Sequence, residues 1–317
     1  MNDGSSTEGL PLTLAPMLAT AGALPVDAGG WVYETKWDGI RAIVAVHHGT
    51  VHIRTRAGND VSTQFPELQA LGAALADHQV VLDGEIIAFG EDGMPSFHQL
   101  QQRLGLAPDA AIRRAVSIPV LFVFFDILHL DGVSTRTLPL SDRRALLTTL
   151  DIAPGPAWHR SEMHTDGAEL HRITRDRGLE GVVAKRLDSP YYPGLRSRAW
   201  IKVKHLKIDE FVIGGWIPGE GRRTSSIGAL LVGQRTADDR ASPLHWVGKV
   251  GTGFTDLDLR RLNSRLTPLV TDTSPFDAPL GERMAQYVQP TLSVRVEYQS
   301  FTPDGLMRFP SYKGLVE

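Results

Sequence analysis

Glycine and proline cut the apolar residues of this chain into short β-branched runs, and the longest of them, Val120–Phe125, stops at Asp126. With 31 glycines and 20 prolines supplying turn signals, such runs read as short strands. None approaches the roughly 18 residues of a membrane span. At 317 residues the chain is about twice a common domain size, which predicts two compact domains. Hydrophobic residues at 42% and charged residues at 22% are ordinary globular composition and argue against a disordered or coiled-coil chain. The cysteine count of 0 excludes disulfides and cysteine-ligated zinc and fits a reducing compartment. The opening MNDGSSTEG lacks the basic residues and apolar core of a secretory signal. The expectation is a soluble cytoplasmic protein without a membrane partner.

Strands are predicted at Arg41–Val46, Val51–Arg54, Val80–Phe89, Pro119–Leu128, Gly181–Lys185 and Ala199–Val203. Helical spacing lies between them: Leu68, Leu71 and Leu75 after Pro66, Leu146, Leu147 and Leu150 after a Ser141 cap, and a third helix from an Asp166 cap to Gly178. Strands mixed irregularly with helices give an α+β layer arrangement rather than a regular βαβ repeat. From about His205 the pattern changes to short strands, Glu210–Trp216, Ile227–Gly233, His245–Val250 and Leu292–Tyr298, interrupted by a capped helix at Asp256–Leu266 and closed by Pro268. That suits a small barrel of the OB type, with an SH3-like or other small barrel left open by pattern alone. The expected organisation is a flexible tail over 1–13, an α+β domain over 14–204 and a barrel over 205–317.

The formal net charge is −3, yet Lys185 to Lys207 contains seven basic residues and one acid. Strand alternation in Trp200-Ile-Lys-Val-Lys204 places Lys202 and Lys204 on one side. Two ammonium groups aimed together repel unless an anion lies between them, so a phosphate site is expected there. Glu34-Thr-Lys36-Trp-Asp38-Gly39-Ile-Arg41 stands before a strand and offers a candidate nucleophile. A lysine amine attacks only when unprotonated, which requires its pKa to fall from about 10.4 towards ~7–8. Lys185, Lys202 and Lys204 are candidate cations for that shift. Carboxylates sit at or near strand ends in Leu82-Asp83-Gly84-Glu85, Phe125-Asp126 and Leu179-Glu180-Gly181, where their oxygens suit Mg²⁺ and ribose hydroxyls.

The ordered series KWDGIR, TRAGND, LDGEIIAF, FFDILHL, EGVVAKR and WIKVK resembles the nucleotidyltransferase motifs of ATP-dependent DNA ligases. APMLAT, FVIGGWIPGEG, GKVGTGF and SPFDAP make it similar to the ligase module of bacterial end-joining ligase D or to stand-alone ligases of the C type. The resemblance covers the chain from about Ala15 onward. It implies a nucleotidyltransferase (adenylation) domain with antiparallel sheets followed by a C-terminal OB-fold β-barrel. It further implies that Lys36 attacks the α-phosphate of ATP and carries AMP, that Lys202 and Lys204 contact that phosphate, and that Asp38 orients the lysine or a metal-bound water. Glu34 would accept from the adenine amine, Arg41 and Glu85 would hold the ribose, Phe125 would stack on the base, and Val183 would close its other face. Arg56 and Arg196 match positions for phosphate or nick contacts. Glu180, with Glu85, would hold Mg²⁺ or Mn²⁺.

Family tails resemble RxPxFKGLRxDK and reach the pyrophosphate of ATP. Here Met307-Arg308-Phe309-Pro310-Ser311-Tyr312-Lys313-Gly314-Leu315-Val316-Glu317 leaves Arg308 and Lys313 for that work, without the terminal Asp-Lys pair. The implied partners are nicked or broken double-stranded DNA and, for a monomer in end joining, end-bridging, polymerase and nuclease repair proteins. Two other readings compete: an RNA-directed relative, either an RNA ligase or a capping guanylyltransferase, and a non-catalytic nucleic-acid clamp.

Overall fold

The structure, a computed structural model, describes residues 10–11, 13–25, 29–152, 155–219, 226–235, 242–302 and 304–316. Most of the expected tail, residues 1–9 and 12, lies outside them, as do Glu220 and Gly221 of FVIGGWIPGEG. Two compact units are present, one ending at Lys204 and one starting at His205.

The first unit contains β1 (Leu18–Ala21), β2 (Trp31–Thr35), β3 (Ile40–His47), β4 (Thr50–Thr55), β5 (Val80–Ala88), β6 (Val120–Leu130), β7 (Val133–Ser134), β8 (Trp158–Arg160), β9 (Gly181–Arg186) and β10 (Arg196–Lys204). They form two sheets, a six-stranded one with the path β4-β3-β5-β6-β7 and β8 beside β6, and a four-stranded one ordered β1-β10-β9-β2. Pairing is antiparallel except for β1 with β10 and β6 with β8, which run parallel.

Strand periodicity decides what each face carries. On β3, Ala42, Val44 and Val46 enter a core with Phe65, Leu68, Leu71 and Leu147, while Ile43 and Ala45 enter a second core with Val81, Leu128, Tyr191 and Trp200. Arg41 shares the parity of Ile43, and Asp83 and Glu85 share that of Val81, so three polar groups face the second sheet. That sheet is two-sided as well. Tyr33, Val182, Ala184, Ile201 and Val203 cluster with Leu170 of the helix Gly167–Asp176, which leaves Glu34, Val183, Lys185, Trp200 and Lys202 for the opposite face.

Several local expectations needed revision. Pro66–Ala70 is a 3-10 turn followed by one α-turn at Leu71–Ala74, although Leu68, Leu71 and Leu75 are all buried as an amphipathic face requires. The helix Leu140–Thr149 has no side-chain cap, because its N-cap is Pro139, which offers no side-chain acceptor; Ser141 lies within the helix, where its hydroxyl donates to Asp142. Asp166 does cap its helix, accepting from Glu169 N–H.

The second unit consists of β11 (Lys207–Pro218), β12 (Ile227–Arg235), β13 (Leu244–Val250), β14 (Val270–Thr271), β15 (Gln286–Val288), β16 (Ser293–Tyr298) and β17 (Ser311–Leu315). β11 pairs with β12 along one edge, and with β16 and then β15 along the other. All of these ladders are antiparallel, and the helix Asp256–Leu266 buries Leu259, Leu262 and Leu266 against them. Thr255 and Asp258 complete a reciprocal capping box at its start. This is an OB-fold barrel. Among the described residues no helix is long and apolar enough to cross a membrane.

Candidate active site

Lys36 follows β2, and its N–H bonds the Gly181 carbonyl at 2.9 Å, continuing the β2–β9 pairing. Two glycines make this approach possible. A Cβ on Gly39 would stand 2.2 Å from the Ile86 carbonyl oxygen, and one on Gly181, whose φ is +146°, would stand 2.1 Å from that of Val203. The glycines of KWDGIR and EGVVAKR are therefore packing requirements on either side of the lysine.

Glu34, Lys36, Arg41, Arg56, Glu85, Phe125, Val183, Arg196 and Lys202 line one cavity of about 200 Å³ within the first unit. The Lys36 ammonium donates to Glu180 Oε2, and Lys204 pairs with Glu180 Oε1 at 2.8 Å. Glu180 and Lys204 thus reach the site through Lys36 rather than by lining the cavity. Asp38, between β2 and β3, is not among the lining residues. Arg308 and Lys313 belong to the second unit, where the Arg308 guanidinium lies 5.6 Å from the Phe309 ring centre and Lys313 pairs with Glu297 at 2.9 Å.

Charge is balanced locally. Asp83 accepts from Arg41 Nε at 2.5 Å and Nη2 at 2.7 Å, and from the Tyr191 hydroxyl at 2.6 Å. Burial alone would pull the Arg41 pKa down, but Asp83 more than offsets it and holds the guanidinium charged. Burial pushes Glu85 up to about 7 against the opposing pull of Arg41 and Lys36. Lys202 is lowered by burial and by its neighbours Lys204, Lys36 and Arg196, the repulsion expected of cations gathered to receive an anion. Asp126 stands apart, bound by Arg143 at 2.7 and 2.9 Å with both side chains fully buried. Its carboxylate braces the fold.

The cavity has further walls that the motif roles left unassigned, among them Met17, Trp37 and Trp200. Lys185 also lines it, with Nζ 3.0 Å from Glu34 Oε2 and 3.9 Å from the centre of the Phe125 ring. Burial lowers the Lys185 pKa while Glu34 opposes the shift. The signal for it was present in EGVVAKR, since Lys185 shares the strand parity of Val183.

A lysine amine in a cavity between two sheets, with carboxylates and cations converging on it and an OB barrel in the same chain, is an arrangement suited to nucleotidyl transfer. The family model of the ATP dependent DNA ligase domain matches residues 16–204, and that of the ATP dependent DNA ligase C terminal region matches residues 223–317. The chain belongs to the ATP-dependent DNA ligase family. It is 42% identical over 315 residues to the multifunctional non-homologous end joining DNA repair protein LigD of Mycobacterium tuberculosis, covering 95% of this chain and 38% of that protein. The crystal structure of the ligase domain from M. tuberculosis LigD is similar with a TM-score of 0.57 at 41% identity, covering 97% of this chain and 96% of that one. The mycobacterial DNA ligase D complexed with ATP and MES has a TM-score of 0.58 at 40% identity, over 97% and 96% of the two chains.

Proposed function

We propose that this chain seals breaks in duplex DNA that carry a 5′-phosphate and a 3′-hydroxyl, through AMP carried on Lys36. The neutral Lys36 amine attacks the α-phosphorus of ATP, the bond to the β-phosphate oxygen breaks, and pyrophosphate leaves. AMP then passes to the 5′-phosphate of the break, and the adjacent 3′-hydroxyl displaces it to form the phosphodiester. Glu180, hydrogen-bonded to Lys36, is placed to receive the amine proton. Lys202 and Lys204 face the transferred phosphate, Arg56 and Arg196 the phosphate or nick, and Arg41 and Glu85 the ribose. Phe125, Val183 and Glu34 meet the adenine. Asp38 orients the reacting lysine, and Arg308 and Lys313 would act on the pyrophosphate.

Glu180 and Glu85 suit Mg²⁺ or Mn²⁺. Among the described residues no group of three or more His, Cys, Asp or Glu side chains could hold a metal by itself, but Mg²⁺ is commonly held by one or two carboxylates together with substrate phosphates. Glu180 already gathers two ammonium groups. The ion would neutralise charge on the phosphate oxygens.

The OB barrel would grip the duplex largely through phosphates, with affinity falling by about 0.9 log units per contacted phosphate for each tenfold rise in salt. On this reading the chain is a monomer that works in the cytoplasm on broken DNA beside end-bridging, polymerase and nuclease proteins; the names of the non-homologous end joining relatives support broken DNA as the substrate. No observation favours an RNA substrate or a catalytically silent clamp.

The observation that carries this reading is the Lys36 amine held by Glu180 in a cavity that also contains Glu34, Phe125 and Lys202. Incubation with α-labelled ATP should leave one AMP on the protein, released by pyrophosphate and absent in Lys36→Ala. An adduct that survives the substitution would overturn it.

A further inference from the structure

We infer that Ser161 and Arg144 are positioning residues for nucleobase selection: they hold Glu34 as an acceptor at the edge of the cavity and fix Phe125 beside it. The inference rests on the ligase reading and adds two residues that no sequence motif contains. Glu34 is only 2% exposed. Its Oε2 accepts from the Ser161 hydroxyl at 2.9 Å and lies 3.0 Å from Lys185 Nζ. The other oxygen, Oε1, is buried with no hydrogen-bond partner and sits 3.9 Å from Arg144 Nη1, beyond bonding distance. A buried acceptor left open is costly unless a ligand fills it.

Arg144 comes from the helix Leu140–Thr149, and its side chain is 5% exposed. It donates through Nη1 to the Phe125 carbonyl at 2.9 Å and through Nη2 to the Ser161 carbonyl. One guanidinium thus ties the backbone of the ring expected to meet the base to the backbone of the serine that orients the carboxylate. Neither Ser161 nor Arg144 lines the cavity, so both act through Glu34 and Phe125.

The chemical consequence is selection. The Ser161 hydroxyl donates to Glu34, and the Lys185 and Arg144 charges 3.0 and 3.9 Å away favour its ionised form, which can only accept. A base presenting an exocyclic amine there, as adenine does, completes the set. A base presenting a carbonyl oxygen, as hypoxanthine or guanine does, sets acceptor against acceptor in a desolvated site, where mismatched polar groups are strongly rejected.

The test measures KM and kcat for formation of the labelled Lys36 adduct with ATP and with inosine triphosphate, in the full chain. Ser161→Ala should raise KM for ATP about tenfold, as expected for a lost hydrogen bond to a charged group, with little change in kcat. The preference for ATP over inosine triphosphate should fall by a similar factor. Ser161→Thr, which keeps the hydroxyl, should restore both, and Ser161→Cys, with a weaker donor, should fall between. An unchanged nucleotide preference in Ser161→Ala, or a loss confined to kcat, would overturn the inference and leave the ligase reading standing. Wild-type protein that forms no adduct with either nucleotide would overturn the ligase reading itself, and this inference with it.

Discussion

The two units bury different things. Among the described residues every buried charged or polar side chain apart from tyrosine and tryptophan lies in the first unit, including Glu34, Asp83, Arg103, Asp126, Arg143, Arg144 and Lys185. The core of the second is apolar and aromatic, built on Phe211, Leu230, Val232, Leu262, Val294 and Tyr298. Desolvating a charge costs several kcal/mol unless it is paired, so a unit that buries many must hold each one in place. In the first unit some of these groups surround the cavity and others brace the backbone. Arg103 binds Glu67 and the carbonyls of Gln64 and Ile118, and Arg143 binds Asp126 and the carbonyls of Leu138 and Ser189. Buried charge therefore marks the unit that does chemistry without marking which charge does it.

Substitutions sharpen the contrast. The largest effect is expected at Lys36: replacing a covalent nucleophile should lower the sealing rate by on the order of 10⁴-fold or more while the chain stays folded, measured by nick sealing beside thermal unfolding. Next, Arg143→Met leaves Asp126 buried without its partner and should cost roughly 3–5 kcal/mol of first-unit stability, read from denaturant unfolding. A loss under about 1 kcal/mol would show that this pair is not a brace.

In the second unit the comparable damage comes from a cavity. Leu262→Ala, at a site with no solvent exposure, should cost roughly 2–5 kcal/mol by the same measurement.

The smallest effect is expected at Tyr298, whose hydroxyl donates to Asp209 at 2.6 Å. Tyr298→Phe should cost about 1–2 kcal/mol near neutral pH. Burial and the Asp209 bond raise this phenol from 10.0 to about 12. Between those values the folded chain keeps a proton that the unfolded chain has lost, so stability falls as pH rises through the window. The phenylalanine variant should show a flatter alkaline slope, and an identical slope would remove Tyr298 as its source.

Strand-forming runs were the most legible part of the sequence. Arg41–Val46 lies within β3 and Ile227–Gly233 within β12, and the helix Asp256–Leu266 has its expected bounds. The strands missed are short or lie outside β-branched runs: Leu18–Ala21 pairs only along the edge of its sheet, and Trp31–Thr35 carries a charge. The helix Pro108–Ser117 buries only Ala111, so apolar spacing does not mark it, although Pro108 starts it. Within the site, the resemblance to the family motifs points to Glu34, Lys36, Arg41, Glu85 and Lys202, all of which line the cavity, because they stand in or beside those motifs. Ser161 sits in none.

What the amino-acid order determined by itself was local: which runs become strands, which residues share a face, and which lysine stands with a glycine turn just ahead of a strand. Those follow from backbone sterics and the two-residue repeat of a strand, both of which act between neighbours. Tertiary structure alone decided which faces meet. Lys36 reaches Glu180 across 144 positions and Glu34 reaches Ser161 across 127. Such contacts depend on how two sheets pack, since only that packing removes the water which would otherwise hold these charges apart.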